Sequence, residues 1–508
     1  MREDSSKVLF VASEAVPFSK TGGLADVAGA LPKALKRLGW DARIVLPLYR
    51  ATREADLPLA PCLEDLPVEV GGERLRAGVL RSELEGDVPC YLVQRDELFD
   101  RPYLYGTPEG DYPDNALRFT YFSKAVFSLC RALAFSPDVL HCHDWQTALV
   151  PAYLRTLFGQ SSPFQQTRSL LTLHNLAYQG AFPASAFPQT GLPKTFFSMG
   201  GIEFWGKMNL LKGGLVSADL LTTVSPTYGR EILTEEFGSG LEGVLAGRKD
   251  DLYGILNGAD YDEWDPSRDP YLPSCYGVDS LAGKRACKVA LLEELGIGPQ
   301  GLQEPLFGMI SRLTSQKGMD LVLAGLGEMM EMGVNFVLLG DGEEKYRAQF
   351  EGLSKTFSGR FSFRYGFDTP LAHRIQAGID FLLMPSRYEP CGLNQIYSMR
   401  YGTIPVVRAT GGLKDTVAEF SPSNLTGTGF LFEEYESAAM LGAVRKAISL
   451  YKEGKYVDLV RRNGMKQSFS WDRAAEAYLA VYEKLRAPGP PRGKNIEKPA
   501  REAGCEEL

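Results

Sequence analysis

The fold is decided by residues 8–46, which read VLFVASEAVPFSKTGGLADVAGALPKALKRLGWDARIVL. Val8–Ala12 is an apolar run of strand formers, Leu24–Leu38 has apolar residues at helical spacing, and Ala42–Leu46 is a second strand-like run. A loop that contains glycines separates the first strand from the helix. A strand, a helix and a strand in this order form a βαβ unit, whose two strands lie parallel in one sheet.

The second half of the chain repeats this alternation. Its predicted elements are the strands Leu306–Ile310, Asn335–Leu339, Asp380–Met384 and Thr403–Val407 and the helix Met319–Met330. One sheet holding all the strands would be unusually wide, so the length of 508 residues favours two domains. We therefore predict an α/β protein with two tandem Rossmann-like domains that face a cleft.

The domain boundary is predicted just after the strand-like run Leu252–Leu256, where a stretch rich in proline, aspartate and aromatic residues begins. We assign residues 1–256 to the first domain and residues 257–470 to the second. Residues 471–486 have apolar positions at helical spacing and are predicted to form a C-terminal helix. Residues 487–508 are rich in proline and charge, and we predict a disordered tail there.

Composition and charge exclude several classes of protein. The net charge of −8 argues against a large nucleic-acid-binding surface, because such a surface needs a basic stripe. No apolar run reaches the ~18 residues of a membrane-spanning helix, so no membrane contact is expected. The eight cysteines are scattered without paired spacing, which is typical of thiols in a reducing compartment. We expect a cytoplasmic protein, although a processed organelle protein would have the same pattern.

The loops after the predicted strands are the candidate binding sites, because ligands of such sheets bind at the carboxyl ends of strands. Lys20 and Gly23 lie in the first such loop, where a glycine backbone and a helix N-terminus favour an anion. This loop has neither the P-loop nor the dinucleotide-binding pattern, and a plain turn with an exposed lysine is the alternative. Arg312 and Lys317 flank the equivalent loop of the second half. Two cations there suit a diphosphate, and two solvated surface cations are the alternative.

Two further loops of the second half carry candidate residues. Glu389 places a carboxylate where a sugar hydroxyl or a developing positive charge could lie, although an acid that only complements a helix dipole is the alternative. Cys391 could suggest a thiol nucleophile, but no histidine lies near it in sequence, and most cysteines are small packed residues. The segment Thr410–Thr416 has two glycines before a helix and offers backbone N–H groups to an anion, or forms a plain turn.

The four histidines do not predict a metal site. His141 and His143 alternate along a strand end, and no second pair has the spacing of zinc ligands. Asp260 and Asp262 form an Asp-x-Asp sequence, but they lie between the domains and not after a nucleotide-binding strand. His174 follows a predicted strand and lies where a sugar could be contacted, with a structural role as the alternative.

Together and in this order, the motifs resemble those of the bacterial glycogen synthase and plant starch synthase family. The resemblance spans about residues 8 to 485 and includes the following segments: KTGGLADV (20–27), DYPDN (111–115), HDW (143–145), TLHNLAYQG (172–180), VSPTY (224–228), NGAD (257–260), SRLTSQKG (311–318), EPCGLNQ (389–395) and RATGGLKDTV (408–417).

This resemblance implies a fold and a reaction. The fold is the GT-B glycosyltransferase architecture, in which the C-terminal helix crosses back onto the N-terminal domain. The reaction is the transfer of glucose from ADP-glucose to the non-reducing end of an α-1,4-glucan, with retention of configuration and release of ADP. It needs neither a metal nor another cofactor. The sequence makes no prediction about the oligomeric state.

The resemblance also assigns roles to individual residues. On the donor side it implies these contacts: Arg312 and Lys317 with the diphosphate; Thr410, Gly411 and Gly412 with phosphate and sugar through the backbone; Lys20 and Gly23 with the donor on closure; and Glu389, Cys391 and Gly392 with the glucosyl unit. His174 is predicted to contact the glucose or the transferred oxygen, and Asp144 and Asn175 to line the acceptor side.

Four more residues are predicted to bind substrate. Asp26 and Asn257 belong to the matching motifs, and Tyr105 is predicted to contact the adenine. Tyr397 stands where relatives in the wider fold have a glutamate that binds ribose, so this chain lacks a carboxylate there.

Other interpretations stay open at this point. A different GT-B enzyme, such as a UDP-glucose-dependent transferase or a phosphorylase, is one alternative, and an inactive glucan-binding protein on the same fold is another. Since no clean double-displacement nucleophile is present, we state as a hypothesis a front-side mechanism, in which the leaving phosphate accepts the proton of the acceptor.

Overall fold

The computed structural model describes residues 5–107 and 109–487. The strands of the N-terminal domain are β1 (Lys7–Val11), β2 (Asp41–Pro47), β3 (Ala60–Val70), β4 (Glu73–Leu84), β5 (Val88–Gln94), β6 (Gly106–Thr107), β7 (Gly110–Asp111), β8 (Val139–His143), β9 (Arg168–Leu173), β10 (Ala181–Pro183), β11 (Glu203–Phe204), β12 (Lys207–Asn209), β13 (Leu220–Thr223) and β14 (Leu252–Gly254).

The helices of this domain lie on both faces of its main sheet. They are α1 (Gly23–Arg37), α2 (Arg50–Glu54), α3 (Asp96–Phe99), α4 (Asn115–Ala132), α5 (Asp144–Thr147), α6 (Leu149–Tyr153), α7 (Phe187–Thr190), α8 (Leu210–Ser217), α9 (Pro226–Glu231) and α10 (Glu242–Ala246).

The C-terminal domain repeats the alternation of strands and helices. Its strands are β15 (Leu306–Ile310), β16 (Asn335–Gly340), β17 (Phe361–Tyr365), β18 (Phe381–Met384), β19 (Ile404–Arg408) and β20 (Phe430–Phe432). Its helices are α11 (Ala282–Leu295), α12 (Met319–Glu331), α13 (Glu344–Thr356), α14 (Thr369–Gly378), α15 (Asn394–Arg400), α16 (Gly411–Thr416), α17 (Ser437–Glu453) and α18 (Val457–Met465), and they are followed by α19 (Trp471–Arg486).

Each domain is built on a sheet whose strand order places particular loops together. Among the described residues, the N-terminal sheet has the order β14-β13-β9-β8-β1-β2-β5-β4-β3, and the C-terminal sheet has the order β17-β16-β15-β18-β19-β20. The C-terminal strands pair in parallel throughout, and in the N-terminal sheet only the pairs of β4 with β3 and β5 are antiparallel. The predicted α/β class with two Rossmann-like domains is confirmed.

The sequence prediction did not include the antiparallel arm formed by β3 and β4. Both strands alternate buried and exposed residues, because one face packs on the domain core and the other faces solvent. An alternating strand such as Glu73–Leu84 has a weaker apolar signal in the sequence than the continuous apolar run of a buried parallel strand.

The helix α19 belongs to the N-terminal core although it is last in the chain. Trp471, Tyr478 and Tyr482 are buried in one apolar cluster with residues of β1 and α1. Ser470 caps the helix, since its hydroxyl accepts a hydrogen bond from the backbone N–H of Arg473. The helix therefore ties the end of the C-terminal domain to the N-terminal domain. The tail predicted at 487–508 lies, apart from Ala487, outside the described residues.

The helices of the described part of the chain were also compared with the length and hydropathy that a bilayer requires. In residues 5–107 and 109–487, none is both long and apolar enough to cross a membrane.

Candidate active site

Lys317 and Glu389 form a largely buried ion pair at the carboxyl end of the C-terminal sheet. Lys317 follows β15 and Glu389 follows β18, and these strands are neighbours, so their loops meet. The Lys317 ammonium donates to Glu389 Oε2 at 2.5 Å, and the Ser386 hydroxyl donates to the same oxygen at 3.0 Å. The side chains are 18% and 6% exposed. The ammonium and the hydroxyl give this carboxylate partners in a site where an unpaired carboxylate would be poorly solvated.

Arg312 lies in the same loop as Lys317, and its side chain is exposed. Among the described residues, no carboxylate forms an ion pair with its guanidinium. One N–H group of the Lys317 ammonium donates to Glu389, and the ammonium has further N–H groups that can donate to a ligand. The arrangement therefore has an open cationic side, where an anionic ligand can bind.

The loops Glu389–Gly392 and Thr410–Gly412 pack directly against each other. The Gly412 N–H donates to the carbonyl oxygens of Glu389 and Pro390 at 3.0 and 3.2 Å. A Cβ on Gly412 would lie 2.5 Å from Cys391 Cα, and one on Gly411 would overlap the Glu389 carbonyl. Gly411 and Gly392 also have φ of +45° and +72°. Gly411 and Gly412 therefore permit the close approach of the two loops that positions Glu389.

The N–H groups predicted to bind phosphate already have protein acceptors in this structure. Glu231, at the end of α9 in the N-terminal domain, accepts hydrogen bonds from the Gly411 N–H at 3.0 and 3.1 Å and from the Thr410 hydroxyl at 3.0 Å. Thr227, in the same helix, donates to Asp415 through both its N–H and its hydroxyl. The segment from Thr410 to Asp415 thus forms a domain contact, and the predicted contacts of Thr410, Gly411 and Gly412 with the donor stay predictions.

Cys391 is buried, and burial raises the pKa of its thiol to about 12. The sulfur accepts a hydrogen bond from the backbone N–H of Asn257. At neutral pH the thiol is therefore protonated, which disfavours the nucleophile interpretation. Asn257 is 5% exposed, and its side-chain oxygen has no hydrogen-bond partner among the described residues. Its backbone links the segment between the domains to the Glu389 loop.

On the N-terminal side of the cleft, Asp144 fixes the loop that carries His174 and Asn175. Asp144 follows β8 and His174 follows the neighbouring β9. The carboxylate of Asp144 accepts the His174 N–H at 2.7 Å and also the Asn175 N–H. Asp144 has a φ of +56°, which is uncommon for a residue with a side chain and easiest for Asn and Asp. The loop geometry is therefore set by this carboxylate.

His174 is held from inside the domain by a second histidine. His174 Nε2 lies 3.0 Å from His143 Nδ1, and both rings are buried. Burial lowers the pKa of His174 to about 3, so the imidazole is neutral at physiological pH. His141, whose ring centroid is 4.3 Å from that of His143, contacts the hydroxyl of Tyr482 in α19 at 2.8 Å. Packing around these rings connects the crossing helix to the cleft.

A tyrosine that the sequence analysis did not single out joins the two sides of the cleft. Tyr388, directly before Glu389, shares a side-chain hydrogen bond with Asn175, and burial raises the pKa of its phenol. The only indication in the sequence was its position directly before the EPCGLNQ motif, because a hydrogen bond between domains cannot be predicted from one sequence. This contact brings Asn175 to the Glu389 loop.

Lys20 is paired with a carboxylate of the helix that follows its loop. Its ammonium lies 2.7 Å from Asp26 Oδ1, and burial raises the pKa of Asp26. The loop is held by Glu14, a buried carboxylate that accepts the N–H and hydroxyl of Thr21 and the N–H of Gly22. A Cβ on Gly23 would meet nothing within 4 Å, which leaves space beside the backbone. Lys20 of the loop is thus paired with Asp26 in the first turn of α1, which begins at Gly23, and the contact of these three residues with the donor stays a prediction.

Tyr105 lies in the N-terminal domain, and Tyr397 lies in α15 of the C-terminal domain. The Tyr105 ring packs near Phe119 and Trp145 in the N-terminal domain, with centroids 6.0 and 6.4 Å away, and its hydroxyl donates to Ser13. Its predicted adenine contact stays a prediction that this packing does not favour. Tyr397 is stacked on Trp264 at 4.3 Å between ring centroids.

An exposed aromatic ring at the sheet edge was also missed by the sequence analysis. Phe367 is 84% exposed and follows β17, and the neighbouring Gly366 N–H donates to the Gly340 carbonyl at the end of β16. It therefore lies at the strand-end edge that also carries Lys317, and it is a large apolar side chain without a packing partner in the core.

We expect the activity to rise as Asp144 ionises. Burial raises the pKa of this carboxyl from 3.8 to about 7. Below that value the neutral carboxyl is a weaker acceptor for the N–H groups of His174 and Asn175, so the loop is held less firmly. The pH profile of kcat from about pH 6 to about pH 8 should rise in the wild type, and the Asp144→Asn variant should lack the rise.

The same ionisation has the opposite effect on folding stability. The folded chain retains a proton that the unfolded chain releases between pH 3.8 and about 7, so this group lowers the free energy of unfolding as the pH rises through that range. Asp262→Asn, at a carboxylate that is 88% exposed, is the control and should keep the wild-type profile. An unchanged kcat profile in Asp144→Asn would refute the role of this carboxyl.

The described residues were also searched for metal ligands. In residues 5–107 and 109–487, no group of three or more histidine, cysteine, aspartate or glutamate side chains is close enough to hold a metal ion.

Comparison with known proteins places this geometry in context. Residues 7–247 match the family model described as the starch synthase catalytic domain, and residues 297–463 match the model of glycosyl transferases group 1. The chain is 48% identical over 476 residues to glycogen synthase 2 of Geobacter sulfurreducens, and the aligned region covers 94% of this chain and 98% of the relative. It is 47% identical over 486 residues to the glycogen synthase of Koribacter versatilis, which covers 95% of this chain and 99% of the relative.

A solved structure has the same fold over nearly the whole chain. The catalytic domain of starch synthase IV from Arabidopsis thaliana, bound to ADP and acarbose, superposes with a TM-score of 0.88 at 33% identity. The match covers 95% of this chain and 100% of the solved chain.

Proposed function

The chain belongs to the glycogen synthase and starch synthase family of glycosyltransferases, and we propose that it transfers glucose from ADP-glucose to the non-reducing end of an α-1,4-glucan, with release of ADP. The observation that carries this proposal is the Lys317–Glu389 pair together with Arg312 of the same loop, which has no ion-pair partner in residues 5–107 and 109–487. A sugar nucleotide needs such a site, because its diphosphate gains negative charge as the glycosidic bond breaks, while the sugar gains positive charge.

The cations act on the diphosphate. Arg312 presents a fork of N–H donors that matches phosphate oxygens, and Lys317 presents a point charge with free donor capacity. Both lie in the loop before α12, and Lys317 is held by Glu389 before the substrate arrives. Charge placed in advance stabilises the departing ADP without reorganisation at the moment of reaction.

Glu389 acts on the sugar. Its carboxylate can accept a hydrogen bond from a sugar hydroxyl or stabilise positive charge at the anomeric carbon, and Lys317 holds it in place. The protonated Cys391 thiol is a poor nucleophile. These features support a front-side reaction with retention, in which the leaving phosphate oxygen accepts the proton of the attacking glucan hydroxyl. Trapping of a covalent glucosyl-enzyme at Glu389 or Cys391 would refute this mechanism.

The acceptor side is formed by the loop that Asp144 anchors. The neutral imidazole of His174 can donate to or accept from a sugar hydroxyl without adding charge. Asn175 is shared between this loop and Tyr388, so closure of the cleft brings the acceptor toward the donor. Closure also excludes water, which would otherwise hydrolyse the donor.

We further propose that the reaction requires no metal or other cofactor, because the positive charges of Arg312 and Lys317 offset the negative charge of the departing diphosphate. Undiminished activity in the presence of a chelator is the expected result. We also propose a cytoplasmic location, since scattered cysteines are typical of reducing compartments.

Phe367 is the proposed contact for the nucleobase. Its ring is 84% exposed at the strand-end edge of the donor domain, where a flat base can stack on it. Stacking of this kind contributes about 1 kcal/mol. We expect Phe367→Ala to raise the KM for ADP-glucose several-fold with little change in kcat, whereas Tyr103→Ala, at an exposed ring of the other domain, should leave the KM for ADP-glucose unchanged. An unchanged KM in Phe367→Ala would place the base elsewhere.

The proposed function is tested by a transfer assay with labelled ADP-glucose or UDP-glucose, with and without glycogen. We expect label in glycogen from ADP-glucose, dependent on the glucan, and much less from UDP-glucose. Preference for UDP-glucose would contradict the donor assignment. No transfer by a folded protein that still binds glucan would favour the inactive binding protein.

A further inference from the structure

The N-terminal domain exposes apolar side chains beside the acceptor loop. Tyr178 is 52% exposed, Met199 84% and Trp205 86%, and we refer to these three side chains as the exposed patch. A group of large exposed apolar side chains marks a binding surface more often than a single one does. None of the roles assigned above uses them.

The backbone at Trp205 is in an unfavourable conformation for a bulky residue. Trp205 and Gly206 form the turn between β11 and β12, with φ of +52° and +74°. Two-residue turns with positive φ at both positions strongly favour Asn or Asp followed by Gly, and a bulky residue in this region is an outlier. Such strain persists mainly where the side chain has a function.

The patch is held rigidly by a buried lysine. Lys212 is 5% exposed, and its ammonium donates to the carbonyl oxygens of Met199, at 2.7 Å, and Glu203. The hairpin is further fixed by the Glu203 carboxylate, which accepts the Gly206 N–H at 2.8 Å. Because the surface is ordered in advance, a ligand would lose little entropy to order it.

The patch is continuous with the proposed acceptor site. Tyr178 follows His174 in the same loop, and β10, which comes next, pairs with β12 of the hairpin. Gln179 donates to the Ser239 carbonyl at 2.9 Å, and a Cβ on the adjoining Gly240 would lie 3.2 Å from the ring of Phe204, next to Trp205. These contacts connect the loop that carries His174 to the hairpin tip.

We propose that the exposed patch is an extended acceptor site that binds the α-1,4-glucan several glucose units away from the reacting end, with Trp205 as its principal contact. The inference rests on the proposed function. The flat apolar faces of glucose units pack well on aromatic rings. The charges at the hairpin favour a neutral ligand, because the Lys212 ammonium donates to carbonyl oxygens and the Glu203 carboxylate is balanced by the exposed Lys207 on the other strand.

The replacement Trp205→Asn separates this role from a structural one. Asparagine suits the turn better than tryptophan, so we expect an equal or higher melting temperature. Loss of the ring should raise the KM for glycogen and weaken retardation in glycogen-containing native gels by about 3- to 10-fold. The KM and the kcat for maltotriose should not change, because three glucose units are too few to occupy both the reacting end and a site several units away. Trp205→Tyr should retain most of the affinity for glycogen.

The control is Leu157→Asn, which removes an exposed apolar side chain from another element of the same domain and should leave glycogen binding unchanged. Wild-type affinity for glycogen in a folded Trp205→Asn protein would overturn the inference. So would an equal loss with maltotriose and glycogen, since that would indicate a role at the reacting end or in folding. Failure of the wild type to use maltotriose and ADP-glucose would instead count against the proposed function.

Discussion

Replacing Lys317 by alanine is expected to lower kcat/KM for ADP-glucose by about 30- to 1,000-fold, which corresponds to about 2–4 kcal/mol of lost transition-state stabilisation. The variant loses a charge next to the departing diphosphate. It also leaves the buried Glu389 carboxylate with the Ser386 hydroxyl as its remaining hydrogen-bond donor among the described residues. Steady-state kinetics with ADP-glucose and glycogen, together with a thermal melt, measures both consequences.

A double variant distinguishes the catalytic loss from the structural one. Lys317→Ala combined with Glu389→Gln removes both charges, so it should recover much of the thermal stability lost in Lys317→Ala and none of the activity. Lys345→Ala, at an exposed lysine of the same domain whose side chain is 59% exposed, is the charge-matched control and should be fully active. Near-normal turnover in a folded Lys317→Ala protein would disprove the role of the ammonium.

Gly412→Ala is expected to lower kcat by about 100-fold, the effect of displacing a catalytic group by about 1 Å. The added Cβ would lie 2.5 Å from Cys391 Cα, so the loop that carries Glu389 must move. Because the change adds one methyl group and alters no charge, the loss would come from geometry alone. Single-turnover kinetics would show whether the chemical step has slowed.

The matched control for this substitution is Gly442→Ala in α17, where a Cβ would meet nothing within 4 Å. It should keep full activity and gain some stability, because alanine in a helix is favoured over glycine by about 1 kcal/mol. If Gly412→Ala were as active as Gly442→Ala, the two loops would not position Glu389 as we describe.

The regular elements were predictable because their signals are local. The βαβ unit at residues 8–46 corresponds to β1, α1 and β2 within one or two residues, and Leu306–Ile310 is β15 as predicted. The order of the sheet is not local, but parallel strands end at one edge, so the prediction that Lys317 and Glu389 share a region followed from the fold class. Their direct ion pair did not follow, because it depends on side-chain conformation.

The contacts between elements could not be predicted from one sequence. Glu231 gave no motif signal, yet it accepts the donors of Thr410 and Gly411 from the opposite domain. Tyr388 lies one residue before the EPCGLNQ motif and was given no role. Trp205 is visible only through its exposure and its positive φ, and both are properties of the folded chain.

Calorimetric titration of the wild type and of Arg312→Ala with ADP, AMP and adenosine measures directly whether Arg312 and Lys317 bind the diphosphate of the donor. We expect the wild type to bind ADP more tightly than AMP. We also expect Arg312→Ala to lower the affinity for ADP by at least about tenfold, because a charge-assisted contact is lost, and to leave the affinity for adenosine unchanged. Equal affinity of wild type and variant for ADP, or no detectable binding of ADP to the wild type, would contradict this role of the two cations.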